Sequence, residues 1–381
     1  MVRFIHASDL HLGKRFGAFS GDLPGRLREA RHAVIGRLAD LARQHGAATV
    51  LLAGDTFDSE TPAADILRQA LNEMRQCAPL RFVILPGNHD SLQAVPLWEA
   101  MQQAAADNVT LAIACEPIAL AENAVLLPAP CTTRRPGRDL TAWMESAATA
   151  EGVIRIGLAH GAIRDFSEEG GAADIIPPDR AARAGLAYLA LGDWHGALAV
   201  DARTFYSGTP EPDRFKHDAP GGAFIVSIDG PAAVPSVERA ETGSFLWRQP
   251  RLHLLGQEDA ASAFLALLPE SRRRQALIRV VASGRCPADA RTALAATLAA
   301  ARPDFALLEL DEADLLTDYE TGDLDRIDRA GALREAADSL LAEAADQNRQ
   351  PAERDIARAA LARLYGLALE QGGIEPSAAA G

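Results

Sequence analysis

The chain has 381 residues, of which 48% are hydrophobic, and a formal net charge of −14. That length exceeds one ordinary domain, and the apolar content is enough to fill more than one core, so at least two folded units are expected. The acid excess excludes a chain that is basic throughout, the usual footprint of phosphate-backbone binding. Four scattered cysteines, Cys77, Cys115, Cys131 and Cys286, exclude a disulfide framework or zinc knuckle and suggest a reducing compartment. The first predicted strand follows Met1 directly, and no apolar run reaches the roughly 18 residues of a spanning helix, so a cytoplasmic protein without a membrane partner is expected.

Residues 2–7 read as a strand. Because strand side chains repeat every second residue, Asp9 and His11 leave its end on the same side. His6 is out of phase with them and reads as a packed residue. Residues 24–44 read as helical. The apolar run 49–53 then ends in Gly54-Asp55-x-x-Asp58, and after a second helical stretch, 62–75, the run 81–85 ends in Gly87-Asn88-His89-Asp90. Helices between apolar strands suit crossover connections in a parallel sheet, and ligands gather beyond the carboxyl ends of such strands. Further on, His160 closes Gly157-Leu-Ala-His, and Gly192-Asp193-Trp194-His195 follows another apolar run. Alone, each of these short clusters is the stuff of an ordinary turn, and His160 would be a hydrogen-bonded strand-end histidine. It is their joint occurrence that marks a site.

The residue types name a chemistry. Attack on a phosphodiester needs a nucleophile at neutral pH and counter-charge for the phosphoryl oxygens, and two divalent ions about 3.5–4 Å apart can supply both. Carboxylate, imidazole and amide oxygen make a mixed oxygen and nitrogen shell that suits Mn²⁺ or a similar ion. His89, set between Asn88 and Asp90, could stabilise the transition state or protonate the leaving oxygen.

Asp-x-His, Gly-Asp-x-x-Asp, Gly-Asn-His-Asp, a lone strand-end His and Gly-x-x-His together resemble the calcineurin-like metallophosphoesterase superfamily. Within it, His6-Ala-Ser-Asp-Leu-His-Leu-Gly13, Leu52-Ala-Gly-Asp-Thr-Phe-Asp58 and Leu85-Pro-Gly-Asn-His-Asp90 look like the SbcD-type DNA repair exonucleases. The resemblance covers residues 1–230 well and the remainder loosely. It implies a four-layer α/β/β/α sandwich with a smaller α+β capping domain and C-terminal helices. Carried over by position, one ion would be held by Asp9, His11, Asp55 and His195, the other by Asp55, Asn88, His160 and Asp193, with Asp55 bridging. His89 inherits a catalytic role without binding metal, and Asp58 and Asp90 orient their neighbours. One position departs: the family usually shows Gly-His-x-His where this chain has Gly192-Asp193-Trp194-His195. Aspartate is a competent hard ligand, but it is shorter than histidine and adds charge, so either it still ligates or the second site is degraded.

The only lysines are Lys14 and Lys216. With Arg15 and Arg214 they are candidate DNA-phosphate contacts, against a background of codon bias toward arginine. Arg134, Arg135 and Arg138 form a third basic patch in what also reads as a solvated loop. Residues 222–228 finish the catalytic core, and 230–243 read as edge strand plus linker. Beyond them, strands at 251–255, 276–281 and 305–310 alternate with helices at 259–268 and 287–301. Residues 331–371 read as two helices broken near Gln350-Pro351. The expected division is a nuclease domain at 1–243, a cap at 244–325, a helical segment at 326–372 and a disordered tail at 373–381.

The resemblance further implies Mn²⁺-dependent 3′-to-5′ exonuclease and single-strand endonuclease action in DNA repair, gated by an SbcC-type coiled-coil ATPase that docks on the C-terminal helices. A homodimer formed through helices of the catalytic domain is also a family tendency. Those same C-terminal helices could instead cover the protein's own core or pair with another copy of the chain. Two other functions fit the sequence: a small-substrate phosphodiesterase or phosphatase, which the acid excess favours, and a non-catalytic scaffold whose metal site is impaired by Asp193.

Overall fold

Runs that are apolar on both faces become the central strands, as expected where a parallel sheet is covered on both sides. In the computed structural model, β1 (Val2–Ala7), β2 (Thr49–Leu52), β3 (Arg81–Ile84) and β4 (Val109–Leu111) lie side by side and parallel. A second sheet follows, with β6 (Ala124–Ala129), β7 (Ile154–His160), β8 (Tyr188–Gly192) and β10 (Thr204–Tyr206) parallel, and β5 (Ile118–Ala121) and β9 (Leu198–Ala199) antiparallel at its edges. The chain then returns to the first sheet. There β11 (Gly222–Ile228) pairs antiparallel with β1, and β12 (Ser236–Glu241) forms the edge. The structure describes residues 1–163, 176–216, 219–255, 258–318, 324–325, 327–328 and 331–372. These strands belong to the first of two units, Met1–Trp247 and Arg248–Gly381.

The two-residue strand period sorts the core into layers. Phe4, Leu51, Val83 and Val226 meet Leu126, Ile156, Leu158 and Tyr188 between the sheets. Their neighbours Ile5, Val50, Leu52, Phe82 and Ile84 face the other way, against Leu38, Leu71, Met74 and Trp98 of the covering helices. On the far face of the second sheet, Leu127, Leu189 and Leu191 pack with Met144, Ala181 and Leu186. The result is the expected α/β/β/α order, in which the last layer is thin among the described residues, with short helical pieces at Ala142–Glu145 and Arg180–Arg183.

The stretch expected as one helix at 24–44 folds as two, α1 (Leu23–His32) and α2 (Val34–Gln44). No proline or glycine marks the break; the Arg37 guanidinium donates to the Ala30 carbonyl across it (2.9 Å), a side-chain intrusion of the kind that bends helices. In α3 (Ala64–Gln76), Leu67, Ala70, Leu71 and Met74 are buried at helical spacing.

His6 ties the sheets together. It is fully buried, its Nε2 donates to the Leu191 carbonyl (3.2 Å), and its Nδ1 accepts from the Tyr188 hydroxyl (2.9 Å). Burial pulls its pKa down from 6.5 to about 3, with the Leu191 bond opposing. Such an imidazole takes up a proton only in the unfolded chain. Its stabilisation is therefore complete above about pH 6.5 and is lost as the pH falls toward 3, by ~1.4 kcal/mol per unit within that window. Urea unfolding at pH 8 and pH 5 should show the parent losing about 2 kcal/mol more than His6→Phe; equal losses would remove His6 from the acid response.

The second unit holds three parallel strands, Arg251–Leu255, Ala276–Pro287 and Leu307–Asp318, with helices Ala260–Ala266 and Ala288–Ala301. Helices Ala332–Ala345 and Pro351–Gly372 follow, joined through Ala337, Leu361 and Tyr365. Residues 373–381, expected as a tail, lie outside the described residues. Among the described residues no helix is long and apolar enough to cross a membrane.

Candidate metal centre

Every sequence-predicted ligand emerges at a strand end. Asp9 and His11 follow β1, Asp55 follows β2, Asn88 follows β3, His160 ends β7, and Asp193 and His195 follow β8. The first two loops run on side by side, with the amides of Asp9 and His11 donating to the carbonyls of Gly54 and Asp55 (3.1 and 2.9 Å). Strain is concentrated here. Six non-glycine residues among those described have positive φ, and four of them are Asp9, His11, Asp55 and Asp193, as is typical of sites whose surroundings fix the backbone.

Two glycines let the loops close. Gly54 has φ of +90°, and a Cβ there would meet the His160 ring at 2.2 Å; a Cβ on Gly87 would meet Asp55 Oδ1 at 2.1 Å. The motif glycines therefore keep side-chain bulk out of the ligand cluster.

The ligand atoms converge in two groups, Asp9, His11 and His195, and Asp9, Asp55 and His160, each with its donor atoms within 4.8 Å of one another. Asp9 is common to both. Asp55 also faces both, its Oδ2 lying 3.7 Å from His11 Nε2 and 3.5 Å from His160 Nε2. His11 and His195 present Nε2 atoms 3.3 Å apart. Asp193 Oδ1 lies 3.8 Å from His160 Nε2 and accepts from Asn88 Nδ2 at 3.1 Å. Asp193 thus stands inside the cluster despite its departure from the family pattern.

The flanking residues are held as well. Asp90 is fully buried and accepts from the amides of Gly87 (2.7 Å) and Phe57 (3.0 Å), pinning two ligand loops together. Asp58 Oδ1 lies 3.3 Å from His11 Nδ1, and the Asp58 carbonyl accepts from His89 Nδ1 (3.1 Å). The His89 ring stands edge-on to His11, centroids 4.9 Å apart, and its amide donates to Asp55 Oδ1 (2.8 Å). His11, Asp58 and His89 form a third convergent group.

The charge balance reflects this crowding. Burial pushes Asp90 up to about 7, aided by the Asp55 charge. Burial likewise lifts Asp193 to about 6, with His160 opposing and Asp9 and Asp55 adding to the rise. Burial opposes charge on both His160 and Asp55, yet their mutual attraction wins, raising the imidazole well above its ordinary value and holding the carboxylate low. A cation among these carboxylates takes the place of such a proton, because metal ligands must be deprotonated.

The donor set fits a metal ion. His160 donates Nδ1–H to the Ala53 carbonyl (2.8 Å), while its Nε2 is buried with no hydrogen-bond partner, as is Asn88 Oδ1. Buried polar atoms are seldom left unsatisfied; a divalent ion replacing the proton between His160 and Asp55 would take the His160 Nε2 lone pair, and Asn88 Oδ1 is a second oxygen donor free to serve it.

Residues 2–179 match the calcineurin-like phosphoesterase family. The matched stretch carries Asp9, His11, Asp55, Asn88, His89 and His160. Over 288 residues it is 24% identical to the uncharacterized metallophosphoesterase YhaO of Bacillus subtilis, covering 69% of this chain and 66% of that protein. The SbcD component of the SbcCD nuclease of Escherichia coli K12 is 34% identical over 95 residues, 24% of this chain and 22% of the relative. The DNA double-strand break repair protein Mre11 of Saccharolobus solfataricus is 29% identical over 93 residues, 24% and 23% of the two chains. This chain therefore spans less than two thirds of the length of each of these relatives.

The first unit gathers three of the four candidate phosphate contacts near His195. Lys14 Nζ lies 2.5 Å from Asp213 Oδ2 and Arg214 Nε 3.2 Å from Asp213 Oδ1. Lys216 sits over the Trp194 ring at 5.5 Å. Arg15 is exposed on the loop after the first motif, and Arg134, Arg135 and Arg138 are exposed on the connection between β6 and β7. Sequence reading missed Asp213, which also bonds His195 Nδ1 (3.2 Å), and Arg31, whose buried guanidinium donates to the carbonyls of Asp9, Leu10 and Glu211. Neither carries a local motif; the one available signal was an acidic residue inside the loop already singled out for Arg214 and Lys216.

Proposed function

We propose that this chain is a divalent-metal-dependent phosphodiesterase that cuts DNA, with two cations, Mn²⁺ the best suited, held by Asp9, His11, Asp55, Asn88, His160, Asp193 and His195. The observation that carries the reading is the convergence of these side chains from five separate loops, with His89 beside them. When bound, such ions supply a nucleophile at neutral pH and counter-charge for the phosphoryl oxygens. Asp55 holds the His89 backbone through its amide, and the Asp58 carbonyl holds its Nδ1. The ring is thereby aimed so that, as imidazolium, Nε2 can give a proton to the leaving oxygen. Asp90 keeps the Asn88-His89 loop in register with the loop after Asp55.

DNA is supported as substrate by the partial likeness to the two nuclease and repair relatives and by Lys14, Arg214 and Lys216 near His195, with Arg15 on the loop that follows the first motif. Under the same reading the second unit supplies a cap, and the two C-terminal helices dock on an SbcC-type ATPase. Leu333, Ile356 and Leu367 are 51%, 69% and 43% exposed on those helices, apolar surface suited to such a partner. Exonuclease direction, 3′ to 5′, a role in DNA repair and a cytoplasmic setting belong to this reading.

A small diester remains the second reading because the chain carries −14 net charge and Lys14 is already paired. Incubating end-labelled DNA and bis(p-nitrophenyl) phosphate together with Mn²⁺ separates the two. The DNA reading expects nucleotides released from the ends and DNA suppressing hydrolysis of the small ester. Turnover of the small ester with DNA neither cut nor competing would remove it. Hydrolysis of neither, restored by Asp193→His, would identify a scaffold with an impaired site.

A further inference from the structure

Asp213 lies in the loop after β10 and is 6% exposed, yet its carboxylate serves three partners. Oδ1 accepts from His195 Nδ1 and from Arg214 Nε, both at 3.2 Å, and Oδ2 accepts from Lys14 Nζ at 2.5 Å. Its loop is fixed from below by Arg31, 1% exposed, whose guanidinium donates to Glu211 (2.8 Å) on one side and to Leu10 (2.8 Å) and Asp9 (3.1 Å) on the other. Thr209 adds a hydroxyl bond to the Asp9 carbonyl (3.0 Å). One buried cation therefore sets the distance between the loop of Asp9 and the loop of Asp213, and His195 is caught between them.

We infer that Asp213 is the positioning residue of this centre, holding His195 as the Nδ1–H tautomer with Nε2 turned toward Asp9 and His11 while it anchors Lys14 and Arg214 beside that imidazole. The inference rests on the two-cation reading. A neutral imidazole has one protonated and one bare nitrogen, and the hydrogen bond at one decides which is available at the other. With the proton held against Asp213, the bare nitrogen is Nε2, which lies 3.3 Å from His11 Nε2 and 4.0 Å from Asp9 Oδ1. The negative charge behind the ring also strengthens it as a donor to a cation. Carboxylates so placed behind a ligating histidine typically change metal affinity about 10–100-fold.

The test is Mn²⁺ titration by calorimetry of the full chain and of Asp213→Asn, which keeps shape and removes charge, with Lys14→Met as the control for loss of the lysine pair alone. The expected result is about a 10–100-fold weakening of one of two sites in Asp213→Asn, the other unchanged, and no such loss in Lys14→Met. Equal weakening of both sites, or of neither, overturns the inference. Should Asp213→Asn fail to fold, nitrogen-15 NMR of the parent histidines, with His195 assigned through His195→Gln, decides instead. A protonated Nδ1 and a bare Nε2 are expected without metal, and the opposite tautomer refutes the assignment. A parent that binds fewer than two ions defeats the two-cation reading, whereas two ions with an unaffected Asp213→Asn defeats this inference alone.

Discussion

Asp55→Ala is expected to lose Mn²⁺ binding at both positions and to lower kcat/KM by at least about 10³-fold, the equivalent of ~4 kcal/mol of transition-state stabilisation. The carboxylate is the group whose oxygen lies within 3.7 Å of an imidazole from each ligand group, and its other oxygen holds the His89 amide. Truncation leaves His11 and His160 facing a site with one charge fewer and releases the loop that carries His89. Metal content by elemental analysis, measured beside the rate, checks both parts. A variant that keeps two ions and the parental rate would place Asp55 outside the centre.

His89→Ala should behave differently. Its rate should fall by about 10²–10⁴-fold, the usual contribution of a positioned general acid, while metal content stays at the parental value. The contacts explain the separation: Asp55 holds the backbone amide of residue 89, which alanine retains, while the imidazole touches the Asp58 carbonyl and the edge of His11. The loss should also depend on the leaving group. A nitrophenolate departs without a proton, so bis(p-nitrophenyl) phosphate should be less affected than DNA, whose leaving oxygen needs one. Steady-state rates of the variant on both substrates decide the matter, and an equal loss on both would give His89 an electrostatic rather than proton-donating role.

The site was legible because its ligands follow apolar runs. In β1, β2 and β3 every residue of the run is buried or nearly so, and the polar clusters begin where the apolar run ends, while Asp9, His11 and Asp55 stay buried. Strands of two to four residues with half-exposed faces, such as β5 and β9, give periodicity nothing to work on. In the second unit the strands extend past the expected ends for reasons other than hydrophobicity. Ala276–Pro287 continues through a register shift after Val281 and through Gly284, whose φ of +93° no larger side chain adopts easily. Its acidic neighbour Leu307–Asp318 is matched to arginines: Arg279 with Glu309 (3.0 Å) and Arg285 with Asp318 (2.6 Å). Such pairing across a sheet is invisible along either segment alone.

That the candidate ligands stand at strand ends was readable residue by residue, but which of them come together was not. Asp9 joins both convergent groups, and meets Asp55 in one of them, because its loop and that of Asp55 run on as neighbours past the strand ends, a consequence of strand order. Asp213, eighteen positions beyond His195 in the chain, reaches it only because Arg31 and Thr209 draw their loops together. Long-range hydrogen bonding of this kind leaves no periodic trace.

The most direct measurement is an anomalous difference map at the manganese edge from crystals of the full chain grown with Mn²⁺. Two peaks about 3.5–4 Å apart, bordered by Asp9, His11, Asp55, His160, Asp193 and His195 with Asn88 in reach, are the predicted result. An absence of peaks at saturating Mn²⁺, or peaks away from Asp55, would contradict the account.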